Sequence, residues 1–535
     1  MKINFFTQDS TVLPPLALTL HPNSIKKGPA DSRIVVMDKV EFRKAEPDKL
    51  GNFLYGPNQP QFDACETYGI LKSGMELYSK ILERTLPFAF QGQVHLFPHD
   101  GEGINAYYSR DDHGVHFLDL TDSRLKKTLH MAQSSDVGAH EEVGHLLLDG
   151  LKPEYLNLEV ETQAFHEAFG DISSMILALQ FEQVLNRLLD ETKGDLRVSN
   201  VVSRLAEEAG LAIQALSPSP KPNHNFLRDA TYIMKYDWKY QDPGLMPEWN
   251  PQDEKKLGSE PHNFSRFFSG VWYEIFVNLY EEGSKTGQSP KHAIQNARDE
   301  ATHLILRGVS DFAPDTSGCF KEIAKGMLQA DQIDNHGLHQ ALLTKIFSKR
   351  GILTRQESAR IPYPEITLKR PILSKRGAEQ FLQKYRKTLG IPKNILLKTA
   401  EDFPARSPRY LYRNQRGETY LTYHVDEAET LRDSIYRELH GAEYHLKGSI
   451  KLGFDQQGDL IFFASDLLTL EKRKRIERSL RLCHKNEFIT TVSPELLNAG
   501  PRHFFKQNGH HRVPYFAYAS WKEGRMLIER VPVFV

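Results

Sequence analysis

The sequence has little cysteine and no long apolar run. Its three cysteines, Cys65, Cys319 and Cys483, lie far apart in 535 residues, so neither a disulfide framework nor the paired spacing of a zinc finger is expected. No stretch of about 18 apolar residues is present, so no transmembrane helix is predicted. The N-terminus has one early lysine and no small-residue cleavage site, so no signal peptide is predicted. The expected compartment is the cytoplasm, although export through an unrecognised signal would leave the same pattern.

An excess of charge of either sign is also missing. The 68 lysines and arginines balance 69 aspartates and glutamates, which leaves a net charge of −1. Proteins that bind nucleic acid or anionic membranes usually carry a positive excess, so neither partner is expected. With 40% hydrophobic and 26% charged residues, the composition is that of a folded globular chain. At about 150 residues per domain, the length predicts several domains.

Apolar periodicity and clusters of turn residues divide the chain into five regions. The predicted helices cover 62–86, 135–150 and 160–181, and the predicted strands near them cover 94–98, 105–109 and 115–120. Recurrent prolines beyond residue 354 predict a linker. In chain order the regions are an N-terminal extension with one strand (1–60), an N-terminal lobe (61–150), a helical lobe (151–353), the linker (354–375) and a C-terminal α/β domain (376–535).

Histidine and acidic side chains concentrate between Asp136 and His145, in a segment predicted to be helical. A catalytic zinc is usually held by three protein side chains, often two histidines and a glutamate, and keeps one position open for water. A carboxylate beside the first histidine can take a proton from that water. His140, Glu141 and His145 offer these groups in one short segment, which makes it a candidate for a catalytic metal site.

The spacing of the two histidines departs from the usual one. Helical H-E-x-x-H motifs place them four residues apart on one face. His140 and His145 are five apart and would point about 140° away from each other on a regular α-helix. A single π-helical turn would bring both imidazoles to one side, and such turns concentrate at functional sites. In the alternative arrangement, Glu141 and His145 are the ligands, Glu142 is the base and His140 has no role. We favour the π-helical arrangement.

The next predicted helix supplies two further acids. Glu167 and Asp171 are four residues apart and therefore face the same way. They lie in an otherwise apolar stretch, which a solvated helix face would not need. Glu167 can complete the coordination of the metal, and Asp171 can hold the outer nitrogen of a ligand histidine.

This block resembles the thermolysin-like gluzincin metallopeptidases, whose pattern is D-x-x-A-H-E-x-x-H followed by E-A-x-x-D. The chain has Asp136-Val-Gly-Ala-His140-Glu141 and then Glu167-Ala-Phe-Gly-Asp171, at an interval close to that of the family. The resemblance covers about residues 60–353. It implies an α+β fold of two lobes, a mixed sheet followed by a helical lobe, with the C-terminal α/β domain as an addition.

The resemblance also implies one zinc ion per chain and assigns roles to individual residues. His140, His145 and Glu167 would be the metal ligands, Glu141 the catalytic base, and Asp171 the partner of a ligand histidine.

Residues outside the zinc block receive roles in the same way. Asn105 and the main chain of Ala106 resemble the family's edge strand, which pairs with the substrate backbone. His262, in Glu260-Pro-His262, resembles the histidine that stabilises the transition state and would be catalytic. Arg228 more weakly resembles the arginine that binds the substrate carbonyl. Apart from the resemblance, Tyr155 could lend its phenol to the oxyanion.

The extra residue in the motif departs from the thermolysin-like pattern. H-E-x-x-x-H is similar to the motif of the dipeptidyl peptidase III type, cytosolic zinc peptidases whose glutamate ligand lies much further downstream. That likeness implies only that a six-residue motif can bind zinc. We therefore expect zinc-dependent hydrolysis of peptide bonds in a peptide or protein substrate.

Two other functions fit the same residues. One is a catalytically inactive pseudo-peptidase that acts as a binding or scaffold module, and the other is a zinc hydrolase for a non-peptide amide. The C-terminal domain is interpreted as a recognition or regulatory module that could bind a protein partner.

Overall fold

A computed structural model gives the fold of the chain. It describes residues 1–21, 25–125, 127–216, 226–236, 256–359, 365–369, 372, 374–393, 395–399, 411–414, 416–493, 496, 504–508 and 511–535. The strands are β1 (Lys2–Phe5), β2 (Leu16–Thr19), β3 (Ile34–Val36), β4 (Val94–Phe97), β5 (Ala106–Ser109), β6 (Gly114–Phe117), β7 (Asp119–Thr121), β8 (Thr128–His130), β9 (Arg204–Leu205), β10 (Arg228–Asp229), β11 (Lys398–Thr399), β12 (Leu411–Arg413), β13 (Thr419–Thr430), β14 (Glu443–Phe454), β15 (Leu460–Asp466), β16 (Ile489–Thr491), β17 (Phe505–Asn508), β18 (His511–Pro514), β19 (Ala517–Lys522), β20 (Arg525–Arg530) and β21 (Val533–Phe534).

Most of the helices lie between β8 and β11 in the chain. The α-helices are α1 (Phe62–Ile81), α2 (Ser135–Gly138), α3 (Leu146–Leu151), α4 (Val160–Ala178), α5 (Glu182–Thr192), α6 (Glu207–Leu216), α7 (Pro261–Lys285), α8 (Pro290–Arg307), α9 (Phe320–Asp334), α10 (Gln340–Arg350), α11 (Arg355–Ala359), α12 (Lys375–Tyr385) and α13 (Leu470–Lys485). Within the described ranges, two segments are π-helical, Ala139–His145 and Gly308–Phe312, and short 3₁₀ turns lie at Glu41–Arg43, Met131–Gln133, Pro153–Tyr155 and Ser434–Leu439.

The first sheet is mixed and has the strand order β21-β5-β6-β4-β3. Strands β3, β4 and β6 run parallel, whereas β5 is antiparallel to β6. Strand β21 comes from the last residues of the chain and pairs antiparallel with β5, with Val533 opposite Ser109 and Phe534 opposite Tyr108. The outer edge of β5 is therefore covered at these two residues by the C-terminal segment.

Helix α1 packs between this sheet and the helix that carries the histidines. The predicted apolar stripe is buried, as Tyr68, Leu71 and Tyr78 show. A Cβ atom at Gly74 would lie 2.3 Å from the side chain of Val143 in the π-helix, so only glycine permits this approach. The helix ends at Ile81, earlier than predicted, and Glu83 then takes a left-handed φ of 52°.

The C-terminal domain has its own sheet and its own core. Strands β11, β13, β14, β20, β19 and β16 form it in that order, with β12 beside β13 and β15 beside β14. Partly buried contacts join the domain to the segments near the histidines. Arg475 donates to Glu159 at 2.6 Å, Lys447 to Glu154 at 2.6 Å, and Arg530 to Gln163 at 3.0 Å. Strand β20 leads directly into the segment that ends in β21.

The mixture of 43% helix and 20% strand confirms the predicted α+β class. Within the predicted N-terminal extension, β1 and β2 pair with each other, and Ile3 and Phe5 are buried in the core that contains α1. The predicted strand 115–120 is split into β6 and β7 at Leu118. Part of the predicted linker lies outside the described residues. Among those described, no helix is long and apolar enough to cross a membrane.

Candidate metal centre

The two histidines of the motif lie on a π-helical turn, Ala139–His145, which continues α2 and leads into α3. The N–H group of Leu146 donates to the carbonyl of Glu141, five residues back, which is the π-helical pattern. The wider turn absorbs the extra residue of the motif. The imidazole rings of His140 and His145 consequently lie 4.7 Å apart, centre to centre, at an angle of 81°.

Two glycines allow this turn to lie against α4. A Cβ atom on Gly144 would be 2.4 Å from the Cα atom of Gly170, and one on Gly170 would be 2.5 Å from the ring of His140. Both distances are far below van der Waals contact, so side chains at either position would separate the two helices. The close approach brings the acids of α4 to the histidines.

Glu167 lies close to both histidines and offers a third ligand group. Its Oε2 atom lies 3.3 Å from His140 Nε2 and 3.5 Å from His145 Nε2. Atoms bound about 2.1 Å from one tetrahedral zinc would be about 3.4 Å apart. The Nε2 atom of His145 is buried and has no hydrogen-bond partner among the described residues, which a metal ion would supply. The residues present therefore fit zinc.

The carboxylate of Glu141 lies beside His140 and His145. Ligand atoms of His140, Glu141 and His145 all lie within 4.8 Å of one another, and the Glu141 carboxylate accepts a bond from the Tyr108 N–H at 3.2 Å. Burial raises the pKa of Glu141 to about 8, although the nearby His140 acts to lower it. A carboxylate with a pKa near neutrality is suited to moving a proton.

Glu142 occupies a different environment. It is fully buried and, unlike Glu141, does not line the adjacent cavity. Burial raises the pKa of Glu142 well above the usual value, and Glu66 and Glu141 raise it further. The arrangement in which Glu142 acts as the base therefore has no support in this geometry.

The outer nitrogen of His140 is held by a chain of charged groups. Its Nδ1 atom lies 3.2 Å from Asp171 Oδ1, which leaves Nε2 directed at Glu167. The guanidinium of Arg228 donates to both Asp171 oxygens, at 2.7 to 3.1 Å, and Ser269 Oγ adds a bond of 3.1 Å. Burial acts to raise the pKa of Asp171, but Arg228 and His140 hold it below its usual value.

The outer nitrogen of His145 has a partner that the sequence did not reveal. Its Nδ1 atom lies 2.8 Å from Nδ1 of His166, which immediately precedes Glu167. Burial lowers the pKa of His145 to about 4 and also lowers that of His166. A lowered pKa favours the neutral imidazole, the form in which histidine binds metals.

A cavity of about 170 Å³ opens beside these groups. Asn105, Ala106 and Arg228, to which the resemblance gives substrate-binding roles, line it together with His262, His140, Glu141 and Asp171. The rest of the wall is largely apolar and includes Ile104, Met131, Val137, Leu205 and Ile213. The cavity wall is therefore polar near His140, Glu141 and Asp171 and largely apolar elsewhere.

His262 lies at the first turn of α7 and bridges the acids to the C-terminal segment. Its Nδ1 atom is 2.6 Å from Glu260, and its Nε2 atom is 3.5 Å from Glu167 and donates to the main-chain oxygen of Val535 at 2.7 Å. Burial acts to lower the pKa of His262, but the carboxylates of Glu167 and Glu260 raise it to about 10.

Tyr155 lies elsewhere, which corrects the expectation that it could bind an oxyanion. The side chain is fully buried, and its hydroxyl donates to the carbonyl of Pro314 at 3.1 Å. It is not among the described residues that line the cavity. Arg228 does line the cavity, but its guanidinium is bound to Asp171, so its first role is to hold that carboxylate.

A second group of possible metal ligands joins separate elements of the N-terminal region. Asp63, His99 and His130 offer ligand atoms within 4.8 Å of one another. Asp119 already bonds both imidazoles, at 2.8 Å from His99 Nδ1 and 2.8 Å from His130 Nδ1. No spacing in the sequence signals this cluster. Because its imidazoles have partners without an ion, we assign it no function.

No protein-family model and no curated protein sequence matches this chain.

Proposed function

We propose that the chain is a zinc-dependent metallopeptidase of the thermolysin-like gluzincin type. The observation that carries the proposal is the convergence of His140, His145 and Glu167 beside Glu141. The cavity that His140 and Glu141 line borders strand β5. Two imidazoles and one carboxylate are a common ligand set of catalytic zinc, and it leaves one position for water. When bound there, zinc would polarise that water and lower its pKa towards about 7.

Residues of the chain carry out the proton transfer, the stabilisation of negative charge and the alignment of the peptide. Glu141 takes a proton from the attacking water and delivers it to the leaving amine. His262 donates from Nε2 to the oxygen on which negative charge develops, because that atom already donates to a main-chain oxygen. Asp171, held by Arg228, orients His140. The main chain of β5, from Ala106 onwards, aligns the peptide backbone, and Asn105 lies at the end of that strand.

Paired substitutions at adjacent glutamates test the proposal. Glu141→Gln should retain zinc and lose peptide hydrolysis by several orders of magnitude, because the carboxylate that accepts the proton is gone. Glu142→Gln is the matched control and should retain turnover, since Glu142 does not line the cavity. Zinc content is measured by mass spectrometry in wild type and in His140→Ala. If the zinc-loaded chain hydrolyses no peptide in a library, either at full length or without residues 533–535, the proposal is rejected.

A pseudo-peptidase that serves as a binding module is the second candidate. The covered edge of β5 favours it, because β21 lies where a peptide would pair. It predicts that the groove binds peptides without cleaving them. A third possibility, hydrolysis of a non-peptide amide, is tested by offering small amides in parallel with the peptide library.

We further propose that the C-terminal domain recognises partners or regulates the site. Its contacts with the helices near the histidines, such as that between Arg475 and Glu159, support coupling between the two parts.

A further inference from the structure

The last residues of the chain lie in the groove as an extended peptide. Val533 and Phe534 pair antiparallel with Ser109 and Tyr108 of β5, and the N–H of Arg110 donates to the carbonyl of Pro532 at 3.0 Å. Addition of a strand to a free edge is a general way in which proteins bind extended peptides. The segment therefore uses the main-chain contacts that a separate peptide would use.

The side chain of Phe534 fills a pocket made by aromatic rings. It stacks on His166 at 4.0 Å between ring centres, on His145 at 5.4 Å and on Tyr108 at 5.8 Å. Only 1% of it is exposed. Aromatic stacking adds to the energy of burial, so this pocket selects an aromatic residue at that place in the peptide.

The chain direction puts the end of the segment at the proposed reaction centre. The main-chain oxygen of Val535 accepts a bond of 2.7 Å from His262 Nε2, the atom that also lies 3.5 Å from Glu167. Antiparallel register continues from Tyr108 towards Ala106 and Asn105, where the cavity of about 170 Å³ begins. Val535 thus lies where a bound peptide would present its reacting carbonyl, and it forms part of the wall of this cavity.

The segment is anchored by the domain from which it comes. Arg530 donates to the carbonyls of Phe516 and Val531, at 2.8 and 3.0 Å, and to Gln163 of α4 at 3.0 Å. Gln163 is one helical turn from Glu167. The position of the segment therefore depends on how the C-terminal domain contacts α4.

We propose that the groove between β5 and the start of α7 binds an extended peptide, and that residues 531–535 occupy this groove as a tethered blocking segment. The peptide carries an aromatic side chain on the residue just before the one that contains the reacting carbonyl. That the bound peptide is a substrate rests on the proposed peptidase function. Binding of such a peptide in the groove does not depend on that function. A tethered ligand acts at an effective concentration of about millimolar, so a free peptide competes poorly until the segment leaves.

Peptide binding with and without the segment is the direct test. The probe is a fluorescein-labelled peptide that copies residues 530–535, Arg-Val-Pro-Val-Phe-Val, and binding is followed by fluorescence anisotropy. A chain that ends at Pro532 should bind it about tenfold more tightly, or better, than the full-length chain. A peptide with alanine at the Phe534 position should bind the shortened chain at least about tenfold more weakly. Trp521→Ala, in an exposed side chain of β19, is the control and should match wild type.

Hydrogen exchange of the full-length chain provides a readout without substitution. A saturating amount of the unlabelled peptide should increase exchange in residues 533–535 and leave β5 protected, because one strand replaces another. Equal peptide affinity of the full-length and shortened chains, with wild-type melting temperature in both, would overturn the proposal. So would a folded shortened chain that binds no peptide.

A reversible disulfide that holds the segment in the groove tests the proposal even if the shortened chain does not fold. Val533 and Ser109 form a non-hydrogen-bonded pair, since the adjacent Pro532–Arg110 pair carries the bond, and such pairs lie within the span of a disulfide. In the double variant Val533→Cys, Ser109→Cys, oxidation should abolish peptide binding, and reduction should restore the affinity that the same variant had before oxidation. Undiminished binding after oxidation would contradict the proposal.

Cleavage assays separate this inference from the proposed function. If the shortened chain binds the peptide but neither form hydrolyses any peptide, the peptidase function fails and the groove assignment stands. If the full-length chain hydrolyses peptides and the shortened chain does so no faster, the peptidase function stands and the blocking role is wrong.

Discussion

Gly144 and Gly170 meet where the π-helix crosses α4, and a methyl group on Gly144 would lie 2.4 Å from the Cα atom of Gly170. We expect Gly144→Ala to separate the two helices and to draw Glu167 away from His145. The overpacking should cost about 1–3 kcal/mol of stability and lower zinc affinity at least about tenfold. Isothermal titration with zinc and chemical unfolding measure the two effects. Gly56→Ala is the control, because its Cβ atom would meet nothing closer than 3.7 Å. Unchanged zinc affinity in Gly144→Ala would contradict the assignment of Glu167 as a ligand.

Asp171 should control metal affinity through His140. In Asp171→Asn the outer nitrogen of His140 loses its carboxylate partner, and we expect zinc affinity to fall about 10- to 100-fold. Competition with a chromogenic chelator measures the change. Ser269→Ala removes a single neutral bond to the same carboxylate and should have a much smaller effect. Equal effects of the two substitutions would show that Asp171 does not act through the ligand histidine.

The contact between Glu159 and Arg475 should make stability depend on pH. Burial acts to raise the pKa of Glu159, but Arg475 and Lys472 lower it to about 2, against 4.5 ordinarily. The stabilisation is therefore complete above about pH 4.5 and is lost as the pH falls towards 2. It amounts to about 3 kcal/mol.

Substitution of this glutamate tests that dependence. Glu159→Gln should lower the urea midpoint at pH 7 and flatten its decline below pH 4.5. Glu281→Gln breaks an exposed pair with Arg197 and should change stability by less than about 1 kcal/mol. A Glu159→Gln midpoint that still falls as steeply as the wild-type midpoint would refute the role of this carboxylate.

Tyr155→Phe should leave zinc affinity and turnover unchanged. The hydroxyl that it removes donates to Pro314, so the expected effect is a loss of about 1 kcal/mol of stability. Tyr78→Phe, which removes a comparable buried bond to Ser173, should behave in the same way. A loss of turnover of about 100-fold in Tyr155→Phe alone would restore the oxyanion role.

The parts of the site that are close in sequence could be predicted from it. The five-residue interval between His140 and His145 is compatible with a shared ion only on a widened turn, and the structure has that turn. Glu167 and Asp171, four residues apart on α4, both face the histidines. The mixed α/β class and the three long helices near the motif follow from apolar periodicity in the same way.

Contacts between distant segments could not be predicted. The contact between His145 and His166 depends on how the π-helix crosses α4. The hydrogen bond from Arg228 to Asp171 depends on where β10 lies relative to α4. The hydrogen-bond partner of His262 Nε2 is Val535, which lies 273 residues further along the chain. The segment that contains this partner, Val-Phe-Val, has the sequence of an ordinary apolar strand. Tyr155 was misplaced because the chain has 21 tyrosines and no local pattern fixes where one of them points.

Strand β21 completes a sheet whose other strands lie between residues 34 and 117. This sheet can therefore close only after residues 533–534 have been synthesised, more than 400 residues after β6, and pairing at such separations is slow. Until then β5 exposes an unpaired edge next to apolar residues, which is a template for association with other chains. Folding of the C-terminal domain thus protects the first sheet from aggregation as well as covering the groove.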